Sequence, residues 1–227
     1  MITKSRQDMA ASISAVPKGA RHYAAAVFSA AAIVIASVNF HHILAESAPQ
    51  SGAGAYAGID QGRPSPVSGR EDWPMIKSAY FDIFIDRAAE ADTVARKLSR
   101  RGLISGGSFT STQEERLASG LDIIMRRVKQ VLDMRPAMPR VKIVIFGGRA
   151  DLEGEYSSIF GTSGSGIRSF YVHKYGTIYT SEETVSDSVM AHEMAHAVVD
   201  NYFSVVPPKK LAEIMASYVD VHLDDSY

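Results

Sequence analysis

The stretch "SEETVSDSVMAHEMAHAVVDNYF", residues 181–203, decides how the rest of the chain is read. Apolar side chains recur through it at helical spacing, and Ser181 followed by Glu182 and Glu183 suits a helix N-terminus. One long helix is therefore predicted over 181–203, capped by Ser181. On such a helix residues four apart share a face, so His192 and His196 can aim a ring nitrogen at one point. Glu193 stands beside the first of them. Val189, Met190, Met194, Ala195 and Val198 surround the three, so this helix enters a core. Burying two imidazoles and a carboxylate there without partners would cost on the order of several kcal/mol.

A metal ion is the partner this spacing suits. His-Glu-x-x-His on a helix offers two nitrogen ligands, with a carboxylate close enough to reach a metal-held water without binding the ion. Hydrolytic zinc needs three protein ligands and one open position. No cysteine is present, so thiolate ligands, disulfides and a cysteine nucleophile are all excluded. The position six beyond His196, where some zinc peptidases carry a third histidine, is Tyr202. Asp200, again four residues on, reads as a supporting or helix-end charge. Glu213, in "KKLAEIMASYVD", lies 17 residues after His196, where a helix–loop–helix turn could return it to the ion. Its alternative is a surface pairing with Lys209 or Lys210.

These residues resemble the gluzincin metallopeptidases, in particular the short peptidase MA-like bacterial members. Their third ligand lies in a proline-led segment of the form P-x-W-L-x-E-G-x-A-x-Y. Pro208, Leu211, Glu213, Ala216 and Tyr218 match it, while Lys210 replaces the tryptophan and Ile214 the glycine. The resemblance implies His192, His196 and Glu213 as Zn2+ ligands and Glu193 as the general base. It implies hydrolysis of a peptide or protein substrate by zinc-activated water, without a covalent intermediate. It also implies that the strand around 176–180 is an edge beside the cleft, to which a substrate peptide could add. Many gluzincins have a further helical subdomain that supplies a Tyr or His to the oxyanion. Here Tyr202 and Tyr218 are the internal candidates, and a protein partner is the external one. The rival expectation is a catalytically inactive zincin-like domain that binds a partner at the cell envelope.

Around this centre the chain reads as α+β: a small sheet with an edge hairpin packed against helices, then the active-site helix and a third-ligand helix. "AYFDIFID", 79–86, alternates as a strand does, and 88–102 is a helix ending at Gly102. The basic end of that helix (Arg96, Lys97, Arg100, Arg101) reads as a solvated face. Over 114–134, apolar residues at 117, 121, 124, 125, 128, 131 and 132 form a helical stripe. "RVKIVIFGG", 140–148, is a strand, followed by a short helix over 149–160. "GTSGSG", 161–166, reads as a mobile loop, because it lacks the Lys-Ser/Thr of a phosphate-binding loop. A hairpin spans 167–180 and turns near Lys174–Gly176, with His173 at the surface. "PPKKLAEIMASYVDVHL", 207–223, is a helix opened by proline.

The chain has 227 residues and a formal net charge of −1, which gives no field of the kind that binds nucleic acid. The charge is uneven. Lys4, Arg6, Lys18 and Arg21 against Asp8 make residues 1–22 net +3, leaving −4 for the rest. "YAAAVFSAAAIVIASVNF", 23–40, is uncharged and precedes small residues. Residues 1–45 are thus either a cleaved signal peptide or an N-terminal membrane anchor. The basic end would stay in the cytoplasm and the remainder would cross. Residues 46–70, rich in Gly, Ser, Ala and Pro, read as a flexible linker, and 71–227 as the zincin-like domain, with folded structure from about Trp73.

Overall fold

A computed structural model of the chain describes residues 69–70, 72–98 and 112–225. The expected signal peptide or anchor (1–45), its apolar segment 23–40 and the linker as far as residue 68 lie outside the described residues. So do the end of the first helix, 99–102, and the loop as far as 111. The described chain is α+β, as expected. Its elements are β1 (Met75–Lys77), β2 (Phe81–Ile85), α1 (Ala91–Leu98), α2 (Gln113–Val131), β3 (Val141–Phe146) and α3 (Arg149–Phe160). Then follow β4 (Ser169–Val172), a 3-10 turn (His173–Tyr175), β5 (Thr177–Ser181), α4 (Asp187–Tyr202) and α5 (Lys209–His222). No helix among the described residues is long and apolar enough to cross a membrane.

The strands form one mixed sheet in the order β1-β2-β3-β5-β4. β2, β3 and β5 run parallel, and β1 and β4 pair antiparallel at the two edges. The strand around 176–180 is therefore not the edge. It lies between β3 and β4, with Ser169 opposite Thr180 and Val172 opposite Thr177, and β4 takes the edge position. All five residues of β5 are buried, which a strand flanked on both sides and covered on both faces requires.

Both faces of the sheet are covered. β3 alternates accordingly: Ile143 and Ile145 join a core with Leu117, Leu121, Ile124, Met125 and Val128 of α2. Val144 and Phe146 join a second cluster with Leu152 of α3, Phe170, Val172 and Tyr179. All seven residues of the apolar stripe expected on α2 are buried. That helix opens with a capping box, Thr112 and Glu115 each accepting from the other's backbone N–H. The buried Asp122 carboxylate accepts from Ser78 Oγ at 2.7 Å and Ala79 N at 3.0 Å, so α2 holds the β1–β2 turn.

The helix expected from Ser181 begins six residues later. Ser181 closes β5, and its hydroxyl lies 2.9 Å from that of Thr184. The N-cap is Ser186, whose side chain accepts from Val189 N. The "GTSGSG" loop packs on α3. Gly161 ends that helix in the left-handed conformation (φ 69°), and Gly166 N donates to Glu153 Oε1 at 2.9 Å. A Cβ on Gly164 would lie 2.6 Å from Glu153 O, so only glycine allows this approach.

Candidate metal centre

α4 passes over the sheet with Val189, Met190, Ala191, Met194, Ala195, Ala197, Val198 and Val199 buried. After the turn at Pro207 and Pro208, α5 packs beside it through Ala212, Ala216 and Val219, which belong to the same core cluster. Small residues at 212 and 216 let the two helices approach closely. Glu213 and Asp220 are seven residues apart on α5, two turns along one face.

That face meets the histidines. Glu213 Oε2 lies 3.5 Å from His192 Nε2 and 3.7 Å from His196 Nε2. One ligand atom from each of the three residues falls within 4.8 Å of the others, a group that could hold a metal ion. Two donors about 2.0–2.1 Å from a tetrahedral ion stand roughly 3.4 Å apart, so the Glu–His separations suit a shared cation. Glu213 is thus turned to the histidines rather than paired with Lys209 or Lys210, although its side chain is 46% exposed.

Two further side chains orient this group. His192 Nδ1 lies 3.0 Å from Asp220 Oδ2 and donates to it, which leaves Nε2 free for the shared point. The other Asp220 oxygen is buried with no hydrogen-bond partner among the described residues. Glu193 is buried, and Ser169 Oγ, on edge strand β4, donates to its Oε1 at 2.6 Å. Sequence reasoning missed Ser169, because nothing local to β4 announces it. Asp220 carried a signal in its seven-residue spacing from Glu213.

Without a metal, the charges arrange themselves around protons. Burial pulls His192 down, but its contacts with Asp220 and Glu213 outweigh burial and raise it to about 10. Burial lowers His196 to about 4, against the pull of Glu213. The hydrogen bond from His192 holds Glu213 below the usual carboxylate range, against burial. Glu193 is pushed up to about 7 by burial, with His192 opposing. Two carboxylates thus flank one imidazolium where a metal would supply the positive charge instead.

Asp200 does not join the ligand group. It lies one turn beyond His196 and takes His173 Nδ1 at 2.5 Å, with a second hydrogen bond from Tyr171. His173, read from sequence as a surface residue, is 35% exposed and anchored by this pair. Tyr202 packs edge-on against Phe203, with ring centroids 5.2 Å apart. Tyr218 packs against His222 at 4.2 Å. Comparison of the chain with protein-family models, with curated proteins and with solved structures found no match.

Proposed function

We propose that the protein is a zinc metallopeptidase of gluzincin-like design that acts outside the cytoplasmic membrane, exported or tethered through residues 23–40. The observation that carries the reading is the convergence of His192, His196 and Glu213 from two helices, with buried Glu193 beside them. Imidazole donors with one carboxylate favour zinc over magnesium or calcium. A zinc ion held there supplies a water with a pKa near 7 and polarises a carbonyl.

The chain's own residues have the remaining work. Asp220 fixes the tautomer and ring plane of His192. Ser169 holds the Glu193 carboxylate in place, and burial keeps that carboxylate near neutrality, where it can both take and return a proton. Glu193 accepts a proton from the attacking water and passes it to the leaving amine. β4, as the sheet edge nearest Glu193, offers backbone groups to an extended substrate. The His173–Asp200 pair, one turn from His196, is an internal source of a hydrogen-bond donor for the oxyanion.

The test is metal content of the purified full chain, wild type against His192→Ala and Glu213→Ala, followed by cleavage of a peptide library with Glu193→Gln as control. One zinc per chain, lost in both alanine variants, with cleavage abolished in the glutamine variant, is expected. A folded wild type that takes up no zinc refutes the reading. Zinc without cleavage of any peptide would leave the cleft as a binding surface.

A further inference from the structure

β3 and β5 are adjacent and parallel, yet the chain leaves them toward opposite faces of the sheet. α3 follows β3 onto the cluster containing Leu152, while α4 follows β5 onto the main core. A crevice opens beyond the carboxyl ends of two strands whose helices diverge in this way, and ligands of open sheets bind in such crevices. Here the crevice is a cavity of about 250 Å³, lined by Lys97, Arg149, Arg168, Glu183, Thr184 and Ser186. It shares no residue with the metal centre.

The cavity's charge is its informative property. Three cations reach it from three separate segments: the end of α1, the start of α3 and the residue before β4. Of the three, only Arg149 has a carboxylate partner among the described residues, a long ion pair to Glu153. Lys97 Nζ donates to the carbonyl oxygen of Glu182, Arg149 stands 3.9 Å from Glu153, and the Arg168 side chain has no hydrogen bond or ion pair among the described residues. The exposed Glu183 is the one carboxylate in the lining, so the lining residues sum to a formal +2, with the Arg149 charge partly offset by Glu153 outside it. Like charges brought together repel, and a bound dianion turns that repulsion into attraction. A volume just under the roughly 300–1,000 Å³ of sites for larger ligands suits a small head group. Guanidinium groups match the oxygens of a tetrahedral anion with paired N–H donors.

We propose that this cavity binds a phosphate dianion, either free or as a monoester, clasped by Arg149 and Arg168 with Lys97 behind, and that Glu183 accepts from the one P–OH of the free dianion. The inference stands apart from the peptidase reading. Its test is calorimetric titration of the full chain with inorganic phosphate at constant ionic strength and in the presence of a metal chelator. The variants are Arg168→Gln, Arg149→Gln/Arg168→Gln, and the exposed Arg126→Gln of α2 as a charge control. His192→Ala serves as a control for the metal centre. Saturable binding is expected, at least about tenfold weaker in the double variant and intermediate in Arg168→Gln. It should be unchanged in Arg126→Gln and His192→Ala. Absence of saturation, equal weakening in Arg126→Gln, loss in His192→Ala, or an equal response to acetate would each overturn it.

Discussion

Glu193→Gln should stabilise the metal-free protein, and the gain should depend on pH in a defined way. The carboxyl is only 6% exposed, and burial raises its pKa from 4.5 to about 7. A group whose folded pKa lies above its unfolded value binds a proton more tightly in the folded state. Below pH 4.5 both states are protonated and no penalty exists. Between 4.5 and 7 the unfolded chain ionises first, and above 7 the folded protein holds a buried carboxylate at full cost. At about 1.36 kcal/mol per pKa unit, the cost is about 3 kcal/mol at pH 8, about 1 kcal/mol at pH 5.5 and close to zero at pH 4. Glutamine is nearly the same shape, stays neutral, and can still accept from Ser169. Urea unfolding with a metal chelator, at those three pH values, reads the difference between variant and wild type directly. Titrating groups that do not interact with Glu193 cancel in that difference, while His192, which the Glu193 charge helps to raise, does not. A difference that does not change with pH, or a variant less stable at pH 8, refutes the argument that Glu193 is held at a cost to the fold.

On the proposed reading, Asp220→Asn should leave the candidate ligands in place but weaken zinc binding about 10–100-fold, measured by competition with a chromogenic chelator, because His192 loses its orienting carboxylate. Zinc uptake at pH 7.5 should release at least about one proton, since His192, raised to about 10, must deprotonate to ligate, and a zinc-held water with a pKa near 7 would add to it. Affinity should fall as pH drops, and calorimetry in buffers of different ionisation enthalpy counts the proton. Tyr179→Phe should stabilise the fold by about 1 kcal/mol in urea unfolding. Its hydroxyl is buried with no hydrogen-bond partner among the described residues, and burial pushes its pKa up.

The parts of the fold that sequence discloses are those where one local pattern suffices. The stripe on α2 and the apolar run Ile143–Phe146 of β3 both follow from burial on known faces. Two errors arise where a local signal and a tertiary demand point differently. Ser181-Glu182-Glu183 has the chemistry of a helix start, but Ser181 is needed in the ladder beside Phe146. Glu182 N instead bonds Phe146 O, and Thr184 Oγ1 donates to Arg168 O at 2.6 Å. The turn is thereby fixed before Ser186 can cap the helix. Which strand lies at the edge is likewise not local. β4 and β5 have similar composition, and only the pairing of β5 with β3 places β4 outside.

The candidate metal centre divides along the same line. His192, Glu193 and His196 share one helix, so their geometry follows from the 3.6-residue period alone. Their environment does not. A carboxylate and two imidazoles on the buried side of α4 demand partners, and the local pattern shows that demand without naming what meets it. Ser169 meets it for Glu193 from a strand 24 residues earlier, and Asp220 meets it for His192 from a helix 28 residues later. Glu213 is reached from sequence by its position 17 residues after His196 on the next helix and by likeness to a motif, and α5 carries a further physical signal of its own. Residues 212, 216 and 219 are small or apolar on one side, and 213 and 220 are acidic on the neighbouring side. A helix with that division, following a two-proline turn after a histidine-bearing helix, can bury its small residues against α4 only by bringing both carboxylates to the histidines. Packing of Ala212 and Ala216 and placement of the candidate third ligand are therefore one event. A bulky residue at 216 should loosen metal binding and helix packing together.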